Sequence, residues 1–137
     1  MIVAVTGATG YAGQYIVRRL LEGGAHVRAW RRASSNVSAL LREVEWIEGG
    51  LTRPETAAAL VKGADALVHA ALDHAPGLYR GGEGSDLAGF IERNVGGSLS
   101  LLLAARKAEV ERCIFVSTRA VFGVPEIAET IADDEPP

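Results

Sequence analysis

The chain has 137 residues, a formal net charge of −3 at pH 7 and 48% hydrophobic residues, enough for one domain that buries roughly two-thirds of its unfolded surface. No Lys/Arg block occurs, which speaks against a nucleic-acid or anionic-membrane partner, and no apolar run is long enough to span a bilayer. The chain opens on an apolar strand pattern that leaves no room for a signal peptide, so a cytoplasmic location is expected.

Ile2–Val5 is apolar throughout and reads as a buried strand. It runs through Thr6 into Gly7-Ala-Thr-Gly10-Tyr-Ala-Gly13, which opens a helix over Tyr11–Glu22 with Tyr11, Tyr15, Ile16 and Leu20 on one stripe. A glycine-spaced turn in this setting lets bare N–H groups and the positive end of the helix touch a dinucleotide pyrophosphate. Gly7 serves the tight turn, Gly10 removes a side chain that would block the phosphates, and Gly13 lets the helix lie close to the strand. The spacing is one residue longer than G-x-G-x-x-G, and the absence of Gly-Lys-Ser/Thr disfavours ATP.

Gly23-Gly24 ends the helix, and His26–Trp30 forms the second strand. An acidic residue at its end would bind the ribose 2′-hydroxyl of NAD. Here the strand runs into Arg31-Arg32-Ala-Ser34-Ser35, with no Asp or Glu. Forked guanidinium donors suit a 2′-phosphate, so NADP is the expected cofactor and NAD the alternative. A solvated basic turn is the plainer reading of the same residues.

A short helix is expected around Ser38–Arg42 and a third strand over Val44–Ile47. Thr52-Arg-Pro-Glu55 has the pattern of a capping box, opening a helix that ends near Gly63. Ala66–Ala70 is a fourth, fully buried strand, in which His69 reads as a satisfied core histidine. Asp73–Asp86 is a glycine-bearing loop where open α/β sheets bind ligands, so it reads as a lid or a plain connector. Asp73 and His74 in it could touch substrate, but a solvated loop pair is the preferred reading. A long helix over Leu87–Ala108 is interrupted by Gly96-Gly97; close packing on the sheet or cofactor is the preferred reason, a kink the alternative. Cys113–Ser117 is the fifth strand, and Cys113 itself, lacking a disulfide partner or metal-ligand spacing to a histidine, reads as a small buried hydrophobe. No metal site is expected. Right-handed crossovers make this an α/β, Rossmann-like doubly wound parallel sheet of order 3-2-1-4-5, with helices on both faces and no sixth strand.

Thr6–Gly13, Leu67-Val-His-Ala-Ala71, Asn94-Val-Gly-Gly-Ser98 and Phe115–Gly123 together resemble the extended or atypical short-chain dehydrogenase/reductase superfamily, the NAD(P)-dependent epimerase/dehydratase group. The resemblance implies a catalytic Ser/Thr at Thr118, which hydrogen-bonds the oxygen of a small-molecule substrate. It also implies cofactor contacts from Gly7, Thr9, Gly10, Tyr11, Ala70, Asn94 and Ser117, beside Arg31 and Arg32. The family's Tyr-x-x-x-Lys pair would fall past Pro137, and Gly50 and Arg119 depart from the family's pattern. Residues 1–137 are therefore expected to form the incomplete NAD(P)-binding portion of an oxidoreductase or epimerase/dehydratase. An NADP-sensing module without turnover is the alternative. The resemblance also implies a homodimer or self-association through the long helix, by an apolar stripe at Leu99, Leu102 and Leu103.

Overall fold

The computed structural model describes residues 1–35, 37, 42–74 and 84–118. Five strands form one parallel sheet in the order β3-β2-β1-β4-β5. They are β1 (Ile2–Thr6), β2 (His26–Arg31), β3 (Glu45–Glu48), β4 (Ala66–His69) and β5 (Arg112–Phe115). The expected order holds, and observed strand ends lie within two residues of those read from the pattern. Because every pair is parallel, Thr6, His69 and Phe115 stand side by side and all strands end on one edge.

Side chains alternate across the pleat, so each central strand feeds two cores. Val3, Val5, Val27, Ala29 and Val68 bury against one face with Val17 of α1 (Tyr11–Glu22). Ala4, Trp30 and Leu67 bury against the other. There they meet Leu60 and Val61 of α2 (Ala57–Val61) and Leu101 and Ala105 of α4 (Gly97–Lys107). Leu60, Leu67 and Leu101 are fully enclosed, each contributing about 1.5–3 kcal/mol.

Helix α1 keeps its expected range, but its buried stripe differs. Gly13 and Val17 are enclosed, and Ile16, Leu20 and Leu21 pack beside them. Tyr11 and Tyr15 lie on the outer side, 82% and 54% exposed, edge to face at 5.7 Å. The helical step from Gly13 to Val17 to Leu20 faces the sheet, and Tyr11 falls off that line.

The capping box does not form. Arg53 precedes a 3-10 turn at Pro54–Thr56 with no side-chain cap, and its guanidinium draws Glu55 forward (3.3 Å) and Glu48 across (2.9 Å). The Glu55 carboxylate thus does not cap the turn, and Thr56 instead donates to the Arg53 carbonyl at 2.7 Å.

The long helix is broken by a π turn: α3 (Leu87–Ile91) passes through Glu92–Gly96 into α4. Gly97 is pressed against Leu51, in the loop after β3, so closely that a Cβ there would overlap its carbonyl. Gly96 has open space around it. The close approach is therefore to a loop rather than to the sheet, and it belongs to one glycine of the pair.

All four residues of β5 are exposed, and Cys113 is exposed rather than buried, because β5 is the edge strand. Partial burial still pushes its thiol pKa up. Leu99, Leu102 and Leu103 of α4 are exposed, as the stripe reading expects. Residues 38–41 of the expected helix Ser38–Arg42 and residues 75–83 of the Asp73–Asp86 loop lie outside the described residues, as do Arg119, Phe122, Gly123 and the acidic end of the chain. Among the described residues no helix is long and apolar enough to cross a membrane.

Candidate functional site at the C-terminal edge of the sheet

A cleft of about 390 Å³ opens where β1, β2 and β4 end. Its floor is the turn Gly7–Gly10. Gly7 sits at φ +72°, a left-handed conformation that suits glycine, and a Cβ there would lie 2.5 Å from the Ala70 carbonyl oxygen. A Cβ on Gly13 would overlap the Gly7 carbonyl. Gly10 differs: a Cβ would meet only the Gly7 oxygen, at 3.1 Å, and the residue is exposed on the cleft. The first two glycines let main chain pack on main chain, whereas the third leaves the cleft open.

The Gly10 N–H bonds the Gly7 carbonyl at 2.9 Å, which closes the turn. Gly10 then caps α1 without a side-chain hydrogen bond, and the first helical turn holds no acidic residue. The N-cap thus offers the leading N–H groups of α1 no side-chain acceptor, and no acidic residue of the first turn neutralises the positive end of the helix.

Arg31, Arg32 and Ser35 form the wall at the end of β2. Ser35 folds the chain back, its hydroxyl accepting from the Arg32 N–H at 3.2 Å. Arg31 makes no ion pair among the described residues, while Arg32 reaches across the cleft to within 3.8 Å of Asp73. Trp30, only 4% exposed, lines the cleft with its indole against Gly49, where a side chain would collide with it. Gly49, Gly50 and Leu51 continue this wall, and the space beside Gly50 is open.

Ala70, Ala71, Leu72, Asp73 and His74, following β4, make the opposite wall. Asp73 is not a solvated loop residue: its side chain is 24% exposed and its carboxylate accepts from Arg93 Nε at 2.7 Å. Arg93 also holds Asp86 at 3.1 Å, and these two carboxylates raise its pKa, Asp86 most strongly. Asn94 grips the Asp73 main chain on both sides. Its Oδ1 accepts from the Asp73 N–H and its Nδ2 donates to the Asp73 carbonyl, both at 2.8 Å, and to the Phe90 carbonyl at 3.0 Å. The Asn94 amide is thus used to brace the wall, and the residue does not line the cleft.

Behind the floor, His69 is 1% exposed and fully bonded. Its Nδ1 meets Thr6 Oγ1 and its Nε2 meets Ser98 Oγ, each at 2.8 Å, and Phe115 packs edge on at 5.0 Å. Thr6 Oγ1 also accepts from the Ala71 N–H at 3.2 Å. Burial holds the imidazole below its usual pKa. This is the satisfied core histidine expected of the strand.

Of the expected site residues, Gly7, Thr9, Gly10, Arg31, Arg32 and Ala70 come together in the cleft. Tyr11 stands outside it at the helix start, and Ser117 and Thr118 are exposed just past β5 on the same sheet edge. Gly49, Leu51 and Phe90 line the cleft without having been expected there, and Asp73 lines it as the lesser of its two readings allowed. The available signal was positional, since Gly49, Leu51 and Asp73 each follow the end of a parallel strand. Among the described residues no cluster could hold a metal ion.

A glycine turn uncapped at α1, beside a 3-2-1-4-5 sheet, agrees with the sequence comparison. The model of the NAD dependent epimerase/dehydratase family matches residues 3–137. The chain belongs to this family.

Within it, a "putative dihydroflavonol 4-reductase" of Synechocystis sp. is 35% identical over 121 residues, covering 88% of this chain and 33% of that protein. The "UDP-glucose 4-epimerase 3" of Oryza sativa subsp. japonica is 31% identical and is matched over 97% of this chain and 38% of its own length. The solved structure of UDP-glucose 4-epimerase from Bifidobacterium longum, in complex with NAD+ and UDP, superposes with a TM-score of 0.82. It is 23% identical and covers 99% of this chain and 42% of its own, which speaks to the fold alone. The chain spans about a third of the length of the curated relatives it matches.

Proposed function

We propose that residues 1–137 are the cofactor-binding portion of an NADP-dependent reductase or epimerase/dehydratase acting on a carbonyl or hydroxyl carbon of a small molecule. The observation that carries this is the cleft itself. An uncapped helix start and an open Gly10 face two arginines at the end of β2, with no carboxylate on that strand end. The residues present fit the group. Gly7, Thr9 and Gly10 would take the pyrophosphate against main chain, and Arg31 and Arg32 would flank the adenosine ribose. Ala70, at the start of the far wall, would back the cofactor, with Tyr11 and Ser117 at the margins. When bound, the dinucleotide supplies hydride exchange. On the same sheet edge, the Thr118 hydroxyl would orient a substrate oxygen by hydrogen bonding.

The choice of NADP over NAD rests on the two guanidinium groups. A charge-assisted bond to a phosphate is worth roughly 1.5–3 kcal/mol, or about 10- to 150-fold in affinity. Calorimetric titration with NADPH and NADH, followed in parallel by Trp30 fluorescence, tests it. NADPH is expected to bind the tighter by at least about 10-fold, and Arg31→Ala/Arg32→Ala to bring the two nucleotides level. An NADPH/NADH ratio indifferent to that double substitution removes the assignment. The exposed leucines of α4 suit self-association; a sedimentation coefficient that rises with concentration supports it, and a constant monomer value argues against it.

A further inference from the structure

We infer that Asp73 is a specificity-determining residue, a built-in counter-anion that competes with a cofactor 2′-phosphate for Arg32. The inference rests on the reading of the cleft as an NADP site. Arg32 Nη1 lies 3.8 Å from Asp73 Oδ1, so the pair spans the cleft between the loop after β2 and the loop after β4. Among the described residues, this is the ion pair that Arg32 makes.

The two partners are held very differently. Arg32 is 73% exposed and long enough to swing. The Asp73 main chain is fixed by Asn94 on both its N–H and its carbonyl, and its Oδ2 is fixed by Arg93 at 2.7 Å. Arg93 is in turn held by Asp86. Oδ1 is therefore the carboxylate oxygen left to face Arg32, and it is not needed to anchor the loop.

At 3.8 Å the pair is electrostatic contact without a hydrogen bond. A phosphate offers Arg32 shorter, charge-assisted bonds and draws it away. Two consequences follow for a 2′-phosphate: the arginine must leave its present partner, and the incoming charge meets a fixed carboxylate across the cleft. A 2′-hydroxyl meets neither cost, because the pair can stay closed beside it. Asp73 thus narrows the margin by which Arg31 and Arg32 favour the phosphorylated cofactor.

The test is Asp73→Asn in the full chain, titrated calorimetrically with NADPH and NADH beside the parent protein. The amide keeps an acceptor for Arg93 while losing the charge, and a melting temperature matching the parent shows that the loop is intact. NADPH is expected to tighten by about three- to ten-fold and NADH to change by less than about two-fold, so the NADPH/NADH affinity ratio rises. Asn94→Ala is the companion variant, which loosens the same loop without touching its charge. It should shift both nucleotides together and leave the ratio where it was. A ratio unmoved or lowered by Asp73→Asn overturns the inference, as does an equal rise in Asn94→Ala. A parent chain that binds neither nucleotide overturns the reading of the cleft instead, and this inference with it.

Discussion

The floor of the cleft and its β2 wall differ in what they are made of. The Gly7–Gly13 side is main chain pressed against main chain, with Gly7 on Ala70 and Gly13 on Gly7. The Arg31–Arg32 side is exposed charge carried on flexible stems. At Gly7 and Gly13 the first surface cannot be altered without disturbing the fold, whereas the exposed arginines of the second can be exchanged at little cost to it. On the function proposed above, the capacity to bind would rest on the packing, and the choice of nucleotide on exposed side chains that the core does not need.

The sharpest way to break that contrast is to place a methyl group inside the packed floor. Gly13→Ala forces a Cβ into the Gly7 carbonyl and is expected to destabilise by about 3 kcal/mol or more, read as a lowered denaturation midpoint. A midpoint near that of the parent would show that the helix can retreat from the turn. Gly10→Ala is the opposite case. Its φ of −78° and ψ of 173° suit any residue and its one close neighbour is 3.1 Å away. Stability should move by less than about 1 kcal/mol while NADPH affinity falls about 10-fold, as a methyl stands where phosphate would approach. If both changes are small, Gly10 does not face the ligand.

The smallest expected effect comes from the buried network behind the floor. The His69 imidazole is held neutral by burial, with its pKa below the usual 6.5. Above about pH 7.5 neither the folded nor the unfolded chain carries appreciable charge on this ring, so no dependence on pH is expected from it. As the pH falls below that value only the unfolded chain takes up the proton. Stability then declines by at most about 1.4 kcal/mol per pH unit until the folded ring titrates too. Melting curves at pH 7.5 and 5.5 should show the decline in the parent and a flatter response in His69→Gln. An identical slope in both would assign the dependence to other groups.

What was legible in the chain follows range of interaction. The β1–α1 turn, the bounds of α1 and the strand order depend on glycine spacing, periodicity and crossover handedness, all of which are local or topological. The same holds for His69, whose apolar strand context announced a buried ring. Tyr11 and Tyr15 misled because an aromatic at helical spacing looks inward until the close contact at Gly13 fixes which face meets the sheet. Asp73 looked like a solvated loop residue because its partners, Arg93 and Asn94, lie 20 and 21 positions away, in the π turn after α3. The capping box failed for a local reason, since Arg53 offers Glu55 a charged partner that a pattern of residue types does not weigh.

The π turn at Glu92–Gly96 carries one further consequence. An α-helix advances about 100° per residue, so the single residue gained in a wider turn rephases everything after it by about that angle. The segment that contains this turn presents Asn94 to the loop after β4, Gly97 to the loop after β3 and Ser98 to His69. A shortening by one residue between Phe90 and Gly97 would leave helical propensity nearly untouched. It would nevertheless uncouple the brace at Asn94 from the close contact at Gly97, so the number of residues here matters as much as their identity.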